Sequence, residues 1–373
     1  MTTTSVDEIV PSKSSLTAGQ LPRWTPLAVG GGALVVSALV MLLIGFNLPG
    51  WIVIAWLLFV PSMFVATRAV EGHQAGVDRL WTVLVYSAFA LALLPLVSIV
   101  VEVLTQGLPG VVDPGFFTNT MQYATSLTDQ QAVEAGTDIK GGILHAVVGS
   151  LLVTLAATVI SVPIGLLTSI YLVEYGRDGW LSRAIVFFVD VMTGIPSIVA
   201  GLFGAALLLT LVGPQDNLMG FTAACALSVL MIPVVVRSTT EMLRVVPNEL
   251  REASYALGVR KSLTILKVVI PTAISGIASG VTLAIARVIG ETAPILVTAG
   301  VATRLNANLF SDWMMTLPVF IYRQLQNPTA PAAPGPSLER AWGAALVLIV
   351  IVMVLNLASR MIARAFAPKK TGR

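Results

Sequence analysis

Residues Glu249–Pro271 read ELREASYALGVRKSLTILKVVIP, with six charged side chains set between two long apolar runs, 218–237 and 272–300. That contrast decides the fold class. A soluble globular protein carries about 25% charged residues. This chain of 373 residues has 11% charged and 56% hydrophobic residues and a mean hydropathy of +0.87. It lacks the polar surface to cover a core in water, which argues against a large soluble domain with buried helices. The composition is that of a polytopic membrane protein.

Working outward from the quoted stretch, we looked for the roughly 20 apolar residues that a helix needs to cross the hydrocarbon. Eight segments qualify: 27–46, 50–67, 81–106, 142–173, 184–212, 218–237, 272–300 and 341–362. The expected fold is therefore an all-α integral membrane bundle of about eight transmembrane helices. Several segments are longer than a straight crossing requires, which implies tilt or kinks. Pro163, Pro196, Pro233 and Pro294 would each remove a backbone hydrogen bond within a span, tolerable only where protein or a wet cavity satisfies the freed groups.

Basic residues set the orientation. With the N-terminus cytoplasmic, that side holds Lys13, Arg23, Arg68, Arg79, Arg177, Arg183, Arg237, Arg244, Arg251, Arg260, Lys261, Lys267, Arg360, Arg364, Lys369, Lys370 and Arg373. The outside holds only Lys140, Arg304, Arg323 and Arg340, and Arg287 stays within a span. An even number of spans keeps both termini cytoplasmic. The expected organisation is a cytoplasmic tail 1–26, a transmembrane hairpin 27–67, a main membrane unit 81–362 and a cytoplasmic tail 363–373. The segments 107–141 and 301–340 lie outside, the second with a proline-rich surface connection, NPTAPAAPGP. The polar opening stretch has no basic–apolar–small-residue pattern, so no cleaved signal peptide is expected. We find no internal repeat.

Soluble-style chemistry is missing. No G-x-x-x-x-G-K-[ST] loop exists; Lys261-Ser262 comes nearest, but Arg260 stands where glycine is required. His73 and His145 are far apart and read as surface-loop or interface residues. The single cysteine, Cys225, reads as a small buried hydrophobe, so neither a disulfide framework nor a metal site is expected. The basic residues are not interleaved with stacking aromatics, which excludes nucleic acid as a partner.

The quoted stretch itself reads as two short helices at an angle. Pro247 suits a first helical turn. Leu250, Ala253 and Leu257 then form one apolar stripe. Gly258 can stop the helix at positive φ. Ser262 can cap a second helix through Leu263, Leu266 and Ile270 that feeds the next span at Pro271. The result is a knob on the cytoplasmic face, either an ordinary amphipathic loop or a docking element.

Glu252-Ala253-Ser254, three residues, Gly258, nine residues, then Val268-Val269-Ile270-Pro271 resembles the EAA loop of ABC importer permeases, whose pattern is E-A-A, three residues, G, nine residues, I-x-L-P. Ser254, Val268 and Ile270 depart from it conservatively. The resemblance implies a coupling helix that seats in a separate ATPase subunit, with Glu252, Ala253, Ser254, Gly258, Arg260 and Pro271 as the coupling residues. ATP and magnesium would then belong to the partner, and no cofactor to this chain, which is not itself an enzyme.

Charges inside spans line pathways or pair with one another. In ARVIGETAPILVTAG, Arg287 and Glu291 stand four apart, hence on one helical face. Arg287 falls about 24 Å from Pro271 along a helix, near mid-bilayer. The two are either a structural ion pair or an anion contact with its counter-charge; a planar guanidinium suits tetrahedral oxyanions. In DVMTGIPSIVAG, Asp190 reads as a cap or ion-pair partner, and Gly194, Pro196 and Ser197 as an unwound or kinked helix, serving either packing or a cavity.

Together these two stretches resemble the A-type permease subunits of phosphate ABC importers, over about residues 81–362. The expected substrate pathway comprises Arg287, Glu291, Ser197 and Thr292, with Asp190, Gly194 and Pro196 kinking or lining it. The resemblance implies a heterodimer with a C-type permease subunit, two ATPase subunits, an extracytoplasmic phosphate-binding protein and a bacterial plasma membrane location. Sulfate, molybdate or phosphonate remain open as substrates. Two other classes stand beside this one: an ion-coupled secondary anion transporter, which needs no docking knob, and a membrane scaffold or phosphate sensor, which needs no mid-membrane charges.

Overall fold

The computed structural model describes residues 20–176, 179–213 and 218–365. The expectations placed on residues 1–19, on Arg177 and on Lys369, Lys370 and Arg373 lie outside the described residues. Every regular element among the described residues is helical. The chain divides into two units, up to Val100 and from Val101 onward.

In the first unit α1 (Thr25–Ile44) and α2 (Leu48–Glu71) form a hairpin. Asn47 caps α2 by accepting a hydrogen bond from Gly50 N at 2.7 Å. Trp51 Nε1 ties the pair together by donating to Leu34 O across 3.0 Å. The helix that follows, α3 (His73–Val112), runs 40 residues through the division between the units. This is well beyond the span 81–106 read from hydropathy.

The second unit continues with α4 (Pro114–Thr118) and α5 (Ser126–Ala135), which flank the entry to α6 (Leu144–Ile170). Next come α7 (Trp180–Gly194), α8 (Ser197–Val212) and α9 (Gly220–Val245). Two short elements, α10 (Asn248–Ala256) and α11 (Lys261–Thr264), precede α12 (Ile270–Val288). Then follow α13 (Ala293–Leu296), α14 (Leu317–Gln326) and α15 (Gly335–Ala365). Among the described residues seven helical segments are long and apolar enough to cross a membrane, and the pair α7–α8, bent by 110°, supplies an eighth crossing if taken as one span. This is a multi-pass helical membrane protein.

The central helix is α9, the most enclosed of the long helices. It packs against α6, α8 and α12 through Ala223, Ala224, Ala226 and Leu227, all fully buried. Small residues let helices approach where no hydrophobic force between them exists in lipid. Gly149 on α6 is the sharpest case: a Cβ there would lie 2.0 Å from Met315 O. Its absence lets the neighbouring Ser150 Oγ accept a hydrogen bond from Leu317 N at 2.7 Å. On the opposite side of α6, Leu151, Leu155 and Val159 point outward, as a lipid-facing stripe should.

Three expectations need correction. His145 is not a surface or interface residue: it is 1% exposed, packed edge-on against Phe320 at 5.6 Å, because α14 folds down onto the start of α6. Cys225 is only half-buried. The proline-rich connection is not all surface, since Ala330 and Ser337 are fully buried and Ser337 Oγ accepts from Thr329 N at 2.9 Å.

The tie that closes this side is Arg340, at the start of α15. Its guanidinium forks onto Asp129 of α5, Nη1 to Oδ1 at 3.0 Å and Nη2 to Oδ2 at 2.5 Å, and Nη1 also donates to Lys140 O at 2.8 Å. Both charges are withdrawn from solvent, at 1% and 0% exposure. Removing one member strands the other, at a cost of about 3–5 kcal/mol, whereas replacing both with apolar groups is close to neutral. Arg340→Met is expected to lower the thermal unfolding midpoint of the detergent-purified protein by about 10 °C. The double variant Asp129→Leu/Arg340→Met should recover most of that loss, as read by a fluorescence melt.

Candidate functional site

The site is built where helices stop. Between α7 and α8 the residues Gly194, Ile195 and Pro196 interrupt the ladder: Ile195 and Pro196 are extended at ψ 128° and 137°. Pro196 cannot donate, and its ring disfavours a helical conformation in the residue before it. The kink read from Gly194, Pro196 and Ser197 is therefore a full break, with α8 starting afresh at Ser197. Its first turn leaves backbone N–H groups without helical partners, and with them the positive end of a 16-residue helix dipole.

The second break overturns part of the reading of Arg287 and Glu291. The helix α12 ends at Val288, so the two charges do not share a helical face. Arg287 sits in the last turn, while Glu291 follows a turn through Ile289 and Gly290, with its own N–H bonded to Val288 O at 3.1 Å. Nor do they form an ion pair. Instead both face one cavity of about 230 Å³, together with Met192, Thr193, Ile195 and Ser197 from the α7–α8 break and Leu230, Pro233 and Val234 from α9. Thr292 is not in the wall; it precedes α13, where its carbonyl accepts from Leu296 N at 3.0 Å.

The cavity thus collects one guanidinium, one carboxylate, the hydroxyls of Thr193 and Ser197 and the N-terminal end of a helix, beside the apolar side chains of Met192, Ile195, Leu230, Pro233 and Val234. Such an end favours negative charge, and the guanidinium gives an oxyanion several charge-assisted hydrogen bonds. Asp190 lies one turn before Thr193 on α7 and forms an ion pair with Arg237 of α9 at 2.6 Å, matching the pairing read for it.

A second group of residues singled out from the sequence forms the knob. Gly258 ends α10 at φ 74°, the left-handed conformation expected of it. Leu250 and Leu257 are exposed at 41% and 83%, and Glu252, Ala253 and Arg260 also point outward. Ser254 points inward and shares a hydrogen bond with Thr264 at 2.8 Å, pinning the two short helices together. Three details differ from the sequence reading. Pro247 precedes α10 instead of entering it, Ser262 lies inside α11 and caps nothing, and the helix continues through Pro271. The last is possible because a π turn at Ile265–Val269 shifts the ladder: Ile270 N donates to Ile265 O, and Thr272 Oγ1 reaches Val268 O at 2.6 Å.

Sequence reasoning missed what holds the knob. Arg251 of α10 reaches Glu174, in the π turn that ends α6, at 3.0 Å, and donates to Leu243 O and Val246 O at the end of α9 at 2.9 and 2.6 Å. Lys261 donates to Glu174 O and lies 4.6 Å above the Tyr175 ring. The available signal was Glu174 itself, a carboxylate closing an apolar span. Both charges are nearly enclosed, at 11% and 5% side-chain exposure.

Residues 161–372 match the family described as "Binding-protein-dependent transport system inner membrane component". The chain is 45% identical over 281 residues, 75% of its length and 86% of the relative's, to "Phosphate transport system permease protein PstA 1" of Mycobacterium tuberculosis (strain CDC 1551 / Oshkosh). It is 41% identical over 297 residues to the Mycobacterium leprae (strain TN) "Phosphate transport system permease protein PstA", covering 80% of this chain and 92% of that one. With the Yersinia pestis protein of the latter name it shares 38% over 230 residues, 62% of this chain and 74% of that one.

Glu174→Ala leaves the Arg251 guanidinium enclosed without its carboxylate, a loss of several kcal/mol. Amide hydrogen exchange over Asn248–Ala256 should then accelerate at least about tenfold, with the middle of α9 unchanged.

Proposed function

This chain belongs to the family of binding-protein-dependent transport system inner membrane components, and from that premise we propose that it is the permease subunit through which an ATP-driven ABC importer carries inorganic phosphate into the cell. The observation that carries the reading is the meeting of Arg287, Glu291 and the first turn of α8 in one cavity, walled by two helix breaks inside the membrane bundle. The relatives' names supply the anion; the cavity supplies chemistry that suits it.

In this reading phosphate enters from the side of α5 and α14, delivered by a binding protein. It exchanges water for the Arg287 guanidinium and the α8 N-terminus, with Ser197 available as a hydroxyl partner and Thr292 beside the turn. Glu291 restores neutrality when the anion leaves. The exposed face of the knob, with Glu252, Ala253, Leu257, Gly258 and Arg260, docks on an ATPase subunit. ATP and magnesium act there, in two such subunits, and a C-type permease completes the pore. The α10 side and both chain termini are cytoplasmic, residues 27–67 are an added hairpin, and 81–362 form the transporting unit. An ion-coupled secondary transporter would have no use for a knob clasped by Arg251, and a scaffold none for the cavity.

Labelled phosphate uptake, in cells lacking other phosphate importers and supplied with the partner subunits, tests this. Arg287→Gln at matched membrane expression should lower uptake by at least about tenfold, the loss of a charge-assisted contact, and excess sulfate should leave wild-type uptake intact. Uptake abolished by sulfate would reassign the substrate to another tetrahedral oxyanion. Full uptake in Arg287→Gln would reduce the arginine to a structural ion.

A further inference from the structure

Asp190 and Arg237 pair at 2.6 Å, yet their side chains are 56% and 51% exposed although both lie inside membrane-spanning helices. Charges within such helices are costly against lipid, so a pair this open on the isolated chain faces water, a pathway or a neighbouring subunit. Its position is specific. Arg237 follows the cavity residues Pro233 and Val234 by one turn of α9, on the side leading to α10. Asp190 precedes Thr193 by one turn of α7, also on the side away from the helix break. The α12 helix runs antiparallel to α9 and touches it at Gly280, where a Cβ would lie 2.5 Å from Ser238 Oγ. Arg237, next to Ser238, is therefore level with Gly280. Arg287 is seven residues further along α12, about 10 Å away along the axis. Two arginines are thus staggered along the axis of the α9–α12 pair, the first facing the cavity, the second held by a carboxylate.

We propose that Asp190–Arg237 is the inner gate of the anion path: Arg237 is a second anion station, and Asp190 is the built-in competitor that occupies it until phosphate arrives. The inference rests on the phosphate reading above. A phosphate carries more negative charge than a carboxylate and can use the guanidinium fork equally well, so it can displace Asp190 after leaving Arg287. When Asp190 returns to Arg237 it expels the anion toward the α10 side and closes the route behind it. An exposed ion pair is weak enough to open in each cycle, which a buried pair such as Asp129–Arg340 is not.

The gate predicts effects of opposite sign from its two members, which a structural tie does not. The purified complete complex, without binding protein, is equilibrated against radiolabelled phosphate by dialysis, and uptake is measured in proteoliposomes. Asp190→Asn frees Arg237, so retained phosphate should rise about threefold while uptake falls. Arg237→Gln leaves a carboxylate on the route, so retained phosphate should fall below wild type and uptake drop about tenfold. The double variant should recover uptake relative to either single one. Equal changes of one sign, or none, overturn the gate. So does loss of the assembled complex in both variants with rescue by the exchange Asp190→Arg/Arg237→Asp, which would make the pair a structural tie. A wild-type complex that retains sulfate as readily as phosphate would instead count against the phosphate reading, and is seen without any variant.

Discussion

Inside a bilayer no water is available to satisfy a free peptide group, so each backbone N–H and C=O must find its partner within the protein or in a wet cavity. Everything specific about this molecule follows from where it breaks that rule. The helices stop twice in the interior, at Ile195–Pro196 and after Val288, and both stops border the same cavity. The broken ends are what make the cavity polar. One supplies a helix N-terminus, the other lets Glu291 turn away from α12 and approach from a loop. A continuous helix through residue 291 would have put Arg287 and Glu291 side by side, free to neutralise each other. The break separates them, so that each faces the cavity singly.

The second organising feature is α9. It packs against α6, α8 and α12, and lends Leu230, Pro233 and Val234 to the cavity and Arg237 to the proposed gate. Its last carbonyls accept from Arg251 of the knob. One rigid element therefore joins the knob to the cavity. The clasp also engages Glu174 at the end of α6, so displacement of α10 by a partner would reach both central helices at once. Nearly enclosed charges are used there, and a weak open pair at the gate. The difference suits the roles proposed for them, one holding its geometry and the other opening.

The opposite side is closed by Asp129 and Arg340, two residues far apart in sequence and fully withdrawn from water. They anchor α5 to the start of α15, and with α14 they roof the bundle. Here a loop region that hydropathy leaves blank is as tightly built as the core.

The sequence by itself determined the class and most of the spans, because these depend on composition and local spacing. An apolar run of 20 residues has few places to go, and a glycine at position 258 or a proline at 196 acts on its own backbone. The EAA-like loop, the interruption at Gly194–Pro196 and the setting of Arg287 within an apolar span were legible for that reason. Only the tertiary structure decided which charges meet. Arg251 with Glu174, Arg340 with Asp129 and Asp190 with Arg237 join residues 47 to 211 positions apart, a proximity no local pattern encodes. The end of α12 at Val288 was likewise hidden: GETAP can continue a helix or leave it, and the packing of α13 against α8, where a Cβ on Gly201 would meet Pro294 Cα at 2.7 Å, selects the second.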